Sequence, residues 1–375
     1  MATTNAVLER PADAAAVAAV LAQGLITRPV GGRTKIGWGA AGSPPAVELS
    51  TERLDALIEH NVGDFTAVMQ AGLQLRDAQQ TFAASGQRLA LDPPDGEGRA
   101  TVGGVIATGD SGPLRHRYGA VRDLILGVQV ALPDGTVARA GSRVIKNVAG
   151  YDLAKLMCGA FGTLGVICEV IMRLHPQPTG TVTVVARGPD AATLARAASA
   201  VRRRPFELEA LDAVWDGDGA ALLAQAAGRA CHSAAESVAQ VVAGEGLEVE
   251  VVDNDEQLWA AQRARQRAPV GGAVVRVSFP PGELGRVVAA APRAVARAGV
   301  GLAWVEVEPD PDALSALRAE LAPSPCVLLD APDSLRAAVD VWGMGESPQL
   351  ALMERVKARF DPDGVCNRGR FVGGL

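Results

Sequence analysis

The stretch Ala100–Arg122, ATVGGVIATGDSGPLRHRYGAVR, constrains this chain more than any other. Gly103, Gly104, Gly109, Gly112 and Gly119 fall within it, and no long aliphatic side chain follows Ile106 until Leu114. Such a run is expected to pack little of its own. Fixing glycine costs backbone entropy, so a dense cluster answers a need for tight turns or for close approach of the backbone to another body. The stretch follows the turn Asp92-Pro93-Pro94-Asp95-Gly96 and precedes a clean strand pattern. The pattern invites a reading in which its backbone N–H groups face a phosphate-bearing cofactor.

The remainder of the chain sets the class. Its 375 residues suggest two or three domains, and 48% apolar residues are ample for sizeable cores. The net charge of −6 argues against a nucleic-acid binder, which is normally basic. The five cysteines (Cys158, Cys168, Cys231, Cys326, Cys366) form no CxxC pair. Neither an iron–sulfur cluster nor a structural zinc is expected, and an odd count without a disulfide framework fits a reducing compartment. The N-terminus, MATTNAVLERPADAAAV, lacks a basic region before an apolar core, so no signal peptide is expected. Charge or glycine interrupts every apolar segment, so no membrane span is expected. The chain reads as cytoplasmic, with peripheral attachment at the inner membrane open through partners.

Along the chain, Arg10-Pro11 opens a helix that Gly24 ends, Leu25–Val30 reads as a strand, and Gly31–Gly37 is a turn of small and polar residues. Ala46–Ser50 is a strand, Thr51 caps a short helix ending near Asn61–Asp64, Phe65–Ala71 is a strand and Leu73–Ser85 a helix. Ile125–Leu132 and Val137–Ala140 flank Pro133-Asp134-Gly135-Thr136, a hairpin signal. Lys146–Leu153 precedes a short helix through Met157. Gly159–Gly165 then leads into the strand Val166–Leu174. The Pro176-Gln177-Pro178 segment marks a boundary. Beyond it, strands (182–186, 206–215, 247–252, 274–279, 302–307) alternate with helices (190–203, 234–244, 256–267, 283–298), and Ala220–Cys231 is mixed. That alternation predicts an α+β layer with helices on one face of a sheet. The last helix, Ser347–Phe360, leads into Asp361–Arg370, which reads as a cofactor-side loop rather than a domain edge.

Three glycine-rich turns, 31–37, 103–112 and 159–165, lie in the first half. None fits GxGxxG between strand and helix with an acidic residue further on, and no GxxxxGK[ST] occurs, which disfavours a Rossmann site and a P-loop. Spacing alone leaves two readings open: ordinary turns of a large α/β domain, or one phosphate cradle.

The motifs Gly31-Gly32-Arg33-Thr34-Lys35, Thr101–Gly109, Arg117-Tyr118-Gly119, Lys146–Leu153 (KNVAGYDL), Gly162–Val166 and Asp361-Pro362-Asp363-Gly364 with Asn367-Arg368-Gly369-Arg370 occur in the order seen in the FAD-linked oxidases of vanillyl-alcohol-oxidase or PCMH type. Residues 10–178 and 347–375 resemble that family. Ser111–Arg115 with KNVAGYDL and Gly159–Gly165 looks most like the FAD-binding E subunit of bacterial glycolate oxidases.

The resemblance implies an α+β fold: a two-lobed FAD-binding domain (1–178), an α+β cap over the flavin's substrate side (179–335) and a C-terminal segment (336–375) returning to the flavin. It implies a pyrophosphate cradle from Gly31, Gly32, Arg33, Thr34 and Lys35 with Thr101, Gly103, Gly104, Ala107, Thr108, Gly109, Ser111 and Gly112, continued by Tyr118 and Gly119. Gly162, Gly165 and Val166 would lie along the adenosine half, and Asn367 near the flavin ring. Covalently flavinylated relatives carry His or Cys in the first loop. This chain does not, so FAD is expected to be non-covalent. The family tail reads Asn-Pro-Gly where this chain has Asn367-Arg368-Gly369.

Arg276, in Val274–Ser278, resembles a cap-strand arginine and is the candidate anchor for a substrate carboxylate, since a guanidinium grips carboxylates bidentately. The bland alternative is an edge-strand arginine in a surface salt bridge. Related 2-hydroxy-acid dehydrogenases use cap histidines, some on a metal. This chain has only His60, His116, His175 and His232, and no metal site is expected. His116 could reach the flavin or a phosphate, whereas His175 and His232 read as structural or exposed. Arg202-Arg203-Arg204 reads as charge at a helix C-terminus. Trp259, Trp304 and Trp342 read as packing, and Trp342–Gly345 is a candidate docking loop.

The expectation is an FAD-binding accessory subunit of a hetero-oligomeric glycolate oxidase. A second FAD-binding subunit would oxidise the small 2-hydroxy acid and an iron–sulfur subunit would pass electrons on. Two alternatives stand beside it. One is a self-sufficient FAD oxidoreductase with a base such as Lys146 or Tyr151. The other is an assembly subunit with a degenerate FAD site.

Overall fold

The structure is a computed structural model that describes residues 6–142, 152–217, 219–345 and 347–375. The chain divides into two compact units: residues 1–111, 119–177 and 344–375 form one, and residues 112–118 and 178–343 the other.

The first unit contains two main sheets. In the smaller, Val47–Ser50 runs between Val7–Glu9 and Thr27–Val30, parallel to both. Val47 and Leu49 are buried while Glu48 between them is half-exposed, the period-2 pattern of a strand with one covered face. The helix Ala14–Leu21 packs in a core shared with the larger sheet. Its N-cap Asp13 accepts a hydrogen bond from the Ala16 amide at 2.8 Å, and Val17, Ala18, Val20 and Leu21 are buried. The larger sheet is antiparallel, in the order Leu57–Asn61, Thr66–Gln70, Val166–Arg173, Ile125–Ala131, Val137–Gly141. Val17, Leu21, Leu49 and Leu54 of the first lobe share one core with Ala131, Val166 and Cys168 of the second and with Val365 and Cys366 of the C-terminal tail.

Two expectations fail in this unit. Residues 57–61 form an edge strand, not a helix. The Asn61 side chain closes a turn by accepting from the Asp64 amide at 3.1 Å and donating to the Asp64 carboxylate at 2.7 Å, and His60 then pairs with Ala67. The glycine-rich stretch also packs more than its composition implies. Val102–Thr108 is a helix, and Val102, Val105 and Ile106 recur at its i, i+3 and i+4 positions and are buried. Thr101 caps it and Gly109, at φ +63°, ends it in the left-handed region.

The second unit is built on an eight-stranded sheet whose neighbours are all antiparallel. Its order is Glu248–Val252, Thr181–Gly188, Ala220–Ala227, Leu208–Trp215, Ala294–Arg297, Leu302–Val307, Ala273–Ser278, Cys326–Asp330. The segment read as mixed contains the strand Ala220–Ala227, which pairs residue for residue with Thr181–Gly188. The helix expected over 283–298 stops at Ala289, and Ala294–Arg297 is a strand. Pro292 cannot continue a helix, since it lacks the amide and its ring crowds the preceding turn. Pro311–Glu320 and Cys326–Asp330 add a helix and a strand beyond the expected set.

A buried ion pair sits inside this sheet. Asp212 and Arg297 face each other in register and both side chains are fully buried. Arg297 donates to Asp212 and to Gln266, and its guanidinium lies 4.8 Å from the centre of the Trp304 ring. Gln262 donates to the same Asp212 oxygen at 2.9 Å. Burial pushes the Asp212 carboxyl above the ordinary carboxylate range, against the pull of Arg297. Arg297→Met therefore strands a buried carboxylate and is expected to destabilise the chain by roughly 3–5 kcal/mol in urea unfolding. The double variant Asp212→Leu/Arg297→Met should recover most of that loss, and equal losses in single and double variants would contradict this reading.

Candidate cofactor site

The site lies in the first unit and begins where the strand Thr27–Val30 ends. The Val30 carbonyl accepts from the Thr51 amide at 2.9 Å, and the chain then turns through Gly31–Lys35 against Arg99–Thr101. A Cβ at Gly32 would overlap the Arg99 carbonyl oxygen, and one at Gly31 would meet Thr101 Oγ1. Across the turn, a Cβ at Gly103 would lie 2.6 Å from Ala71 Cβ and 2.8 Å from the Ala71 carbonyl oxygen. Glycine is required at Gly32 and Gly103 by close backbone approach and at Gly31 by the Thr101 side chain, not by turn chemistry alone.

The amides of the two segments differ. Val102 N donates to Leu73 O at 2.9 Å, Gly103 N to Ala71 O at 2.8 Å and Gly104 N to Thr101 Oγ1 at 3.2 Å. Those donors are spent, which corrects the expectation that the 101–104 backbone faces a phosphate. Among the described residues, no hydrogen bond engages the amides of Gly31, Gly32 or Arg33. Arg33 is left-handed at φ +57°, and a left-handed residue in a turn curls successive N–H groups toward one point, as in anion-binding nests.

Both cations of this turn are already paired. Arg33 Nη2 lies 2.5 Å from Glu48 Oε2, and that hydrogen-bonded pair holds Glu48 below the usual carboxylate range and Arg33 above its own. Lys35 Nζ lies 3.2 Å from Asp110 Oδ2, with both side chains almost wholly buried, and donates to Pro94 O at 3.3 Å. Any attraction for an anion here falls to the backbone rather than to free side-chain charge.

The turn opens onto a cleft with about 830 Å³ of space, part of it continuous with solvent. Gly31–Lys35, Thr101, Gly103, Gly104, Ala107 and Thr108 form one wall; Gly162, Gly165, Val166 and Asn367 border it as well. Phe161, Trp38, Ile36 and Arg370 also line it, beyond the residues expected from sequence. One signal marks this region once the backbone is known. Arg33, Phe161 and Asn367, three non-glycine residues at positive φ, all line the cleft, and such strain concentrates at ligand clamps. Asn367 Nδ2 donates to Phe161 O at 2.6 Å, and Arg370 donates to Ala40 O at 3.0 Å, to Ala41 O at 3.2 Å and to Ile36 O. Contacts between residues so far apart in sequence leave no local pattern. Among the described residues that line the cleft there is no carboxylate, imidazole or thiol. The arrangement offers amides for an anion and apolar faces for flat rings.

The remaining expected residues lie off this lining. Gly109 ends the helix after Thr101. Ser111 is buried, its amide donating to Asp110 Oδ1 at 2.9 Å, and Gly119 turns at φ +82° against Asp123. Gly112 and Tyr118 belong to the second unit, where Tyr118 donates to Glu209 Oε1 at 3.0 Å. His116 lies in that same segment, half-buried, and burial followed by the charge of Arg202 lowers its pKa. Arg276 is half-buried on Ala273–Ser278, an interior strand between Leu302–Val307 and Cys326–Asp330, which removes the edge-strand alternative. Lys146–Tyr151, with the base candidates Lys146 and Tyr151, lies outside the described residues.

Residues 6–141 match a protein family described as an FAD binding domain. The chain is 35% identical over 128 residues to the glycolate oxidase subunit GlcE of Escherichia coli, covering 34% of this chain and 37% of that protein. It is 34% identical over 180 residues to the D-lactate dehydrogenase of Archaeoglobus fulgidus (47% and 40%), and 35% identical over 162 residues to the D-2-hydroxyglutarate dehydrogenase of Stutzerimonas stutzeri (43% and 35%). The chain thus spans about a third to two-fifths of the length of these relatives. In fold it is similar to an alkyldihydroxyacetonephosphate synthase, with a TM-score of 0.68 at 15% identity over 96% of this chain and 76% of that one. Together with the α+β fold and the glycine-lined cleft, these findings show that the chain carries an FAD-binding domain of the PCMH type and that FAD is its cofactor.

Proposed function

We propose that this chain is the FAD-binding accessory subunit of a glycolate-oxidase-type complex, an FAD-dependent oxidoreductase acting on small 2-hydroxy acids. The observation that carries the reading is a cleft with unspent amides at Gly31–Arg33 and, among the described residues that line it, no carboxylate or imidazole. That is a site equipped to bind a dinucleotide. The similarity to GlcE supports a role in a complex, and the likeness to the D-lactate and D-2-hydroxyglutarate dehydrogenases supports a 2-hydroxy acid as substrate.

In this reading the Gly31–Arg33 amides hold the FAD pyrophosphate. Gly103 and Gly104 complete the same wall, Gly103 because nothing larger fits against Ala71. Gly162, Gly165 and Val166 border the adenosine half, and Asn367 fixes the tail near the ring. The Lys35–Asp110 pair ties the first loop to the segment after Gly109. FAD, when bound, supplies a two-electron acceptor for oxidation at a hydroxyl-bearing carbon. Arg276 is the candidate for gripping the substrate carboxylate. The partners are a second FAD-binding subunit that carries the acid–base groups and an iron–sulfur subunit. Attachment at the inner membrane would run through them, since no described helix is long and apolar enough to cross a membrane.

The purified chain is expected to carry one non-covalent FAD, released by denaturation, and to stay oxidised when glycolate is added anaerobically. Co-purified with its two partner subunits, it should be bleached by glycolate. Full-rate glycolate turnover by the isolated chain would overturn the accessory reading. The loop variants separate backbone from side-chain recognition. Gly32→Ala should weaken FAD binding by about tenfold or more, because the turn must move off Arg99. Arg33→Ala breaks only an exposed ion pair and should change affinity by about fivefold or less in a fluorescence titration.

A further inference from the structure

The C-terminal helix Pro348–Phe360 has one buried residue, Lys357. Its ammonium does not line the cleft, yet it donates to Thr163 O at 2.6 Å, to Asp361 Oδ2 at 2.5 Å and to Cys366 O at 3.1 Å. Those three acceptors use all three donors of an ammonium. Asp361 in turn accepts from the Val365 amide at 2.8 Å and the Cys366 amide at 2.7 Å. One buried ion pair therefore fixes two backbone segments, 161–165 and 365–367, that are far apart in sequence.

Both segments carry a strained residue into the cleft. Phe161 sits at φ +55° and Asn367 at φ +44°, and the Asn367 side chain bridges to the Phe161 carbonyl. Side chains at positive φ are costly and persist only where the surroundings over-determine them. Thr163 and Cys366, whose carbonyls Lys357 holds, are close neighbours in sequence of Phe161 and Asn367 respectively. The helix does not require such a lysine for its own sake. Its N-terminus is capped by Ser347, whose hydroxyl accepts from the Gln349 amide at 3.3 Å. The pair with Asp361 at the other end would by itself leave two of the ammonium's donors unused.

We propose that Lys357, with Asp361, is a positioning residue for the FAD site. It holds Phe161 and Asn367 in the geometry that shapes the cleft without touching the cofactor. This rests on the cleft being where FAD binds. An ammonium is suited to the task because it is a compact, rotatable cluster of donors, whereas a planar guanidinium cannot reach three oxygens arranged around one point.

The test uses the full chain and three variants. Lys357→Met keeps the alkyl stem and removes the donors. Asp361→Asn keeps an acceptor and removes the charge. Phe82→Leu creates a cavity in the first unit beside His60, off the cleft lining and outside the core that holds the tail, and controls for lost stability. FAD affinity, the visible circular dichroism of bound flavin and the unfolding midpoint are measured for each. Lys357→Met and Asp361→Asn should weaken FAD binding by about tenfold or more and change the visible dichroism. Phe82→Leu should lower the midpoint while leaving affinity within about threefold and the dichroism unchanged. If Lys357→Met does not fold, Asp361→Asn and Phe82→Leu still decide the matter. Wild-type affinity and dichroism in the folded lysine or aspartate variants, or the same loss in Phe82→Leu, would overturn the proposal. Failure of the wild-type chain to take up FAD would instead overturn the assignment of the cleft.

Discussion

The cofactor cleft depends on one close approach. The backbone at Gly31–Gly32 runs so near Arg99–Thr101 that a single methyl group at Gly32 would occupy the place of the Arg99 carbonyl oxygen. Everything else about the first wall follows from that contact. The turn cannot carry side chains at those positions, so its amides are what it presents. The two cations that follow, Arg33 and Lys35, are drawn off to Glu48 and Asp110. A wall made this way recognises an anion through fixed dipoles, which need no side-chain ordering when the ligand arrives. Phosphate recognition by backbone is thus compatible with an acidic protein, and the net charge of −6 is no obstacle to it.

The opposite side of the cleft solves a different problem. The tail and the 161–165 loop are far apart in sequence, and each contributes a residue in the left-handed region. Such residues cost of order 1–3 kcal/mol each. The structure holds them with a dense set of bonds: Asn367 to Phe161, Lys357 to Thr163 and Cys366, and Arg370 to the 36–41 loop. The shared apolar core, in which Val365 and Cys366 pack with Val17 and Leu49, brings the tail to the place where those bonds can form. Hydrophobic burial sets the position and polar contacts set the conformation.

Much of the first unit is legible in the sequence because its signals are local. Glycine turns, the Pro133–Thr136 hairpin and the apolar run of 166–174 each announce themselves within a few residues. The departures have local causes as well. Residues 57–61 read as helical because an edge strand with one exposed face can carry Glu59 and His60. Ala220–Ala227 is rich in a residue favoured in helices, and only pairing with two neighbouring strands makes it a strand. A helix drawn through Ala294–Arg297 gives too little weight to Pro292. The second wall of the cleft is mostly illegible. Trp38, Phe161 and Arg370 belong to it through contacts that no window of sequence contains. Within the glycine-rich stretch, sequence can bring Val102–Thr108 near the site, but not show that its first amides are bonded to Ala71, Leu73 and Thr101.

That distinction between spent and unspent amides is open to direct measurement. Hydrogen–deuterium exchange of the apo chain, with and without FAD, reads each segment separately. Slowed exchange on FAD addition across residues 31–33, with little change at 102–104, is the expected result, since the second set is already protected by intramolecular bonds. Unchanged exchange at 31–33 in a chain that has bound FAD would contradict the assignment of the Gly31–Arg33 turn as the pyrophosphate cradle.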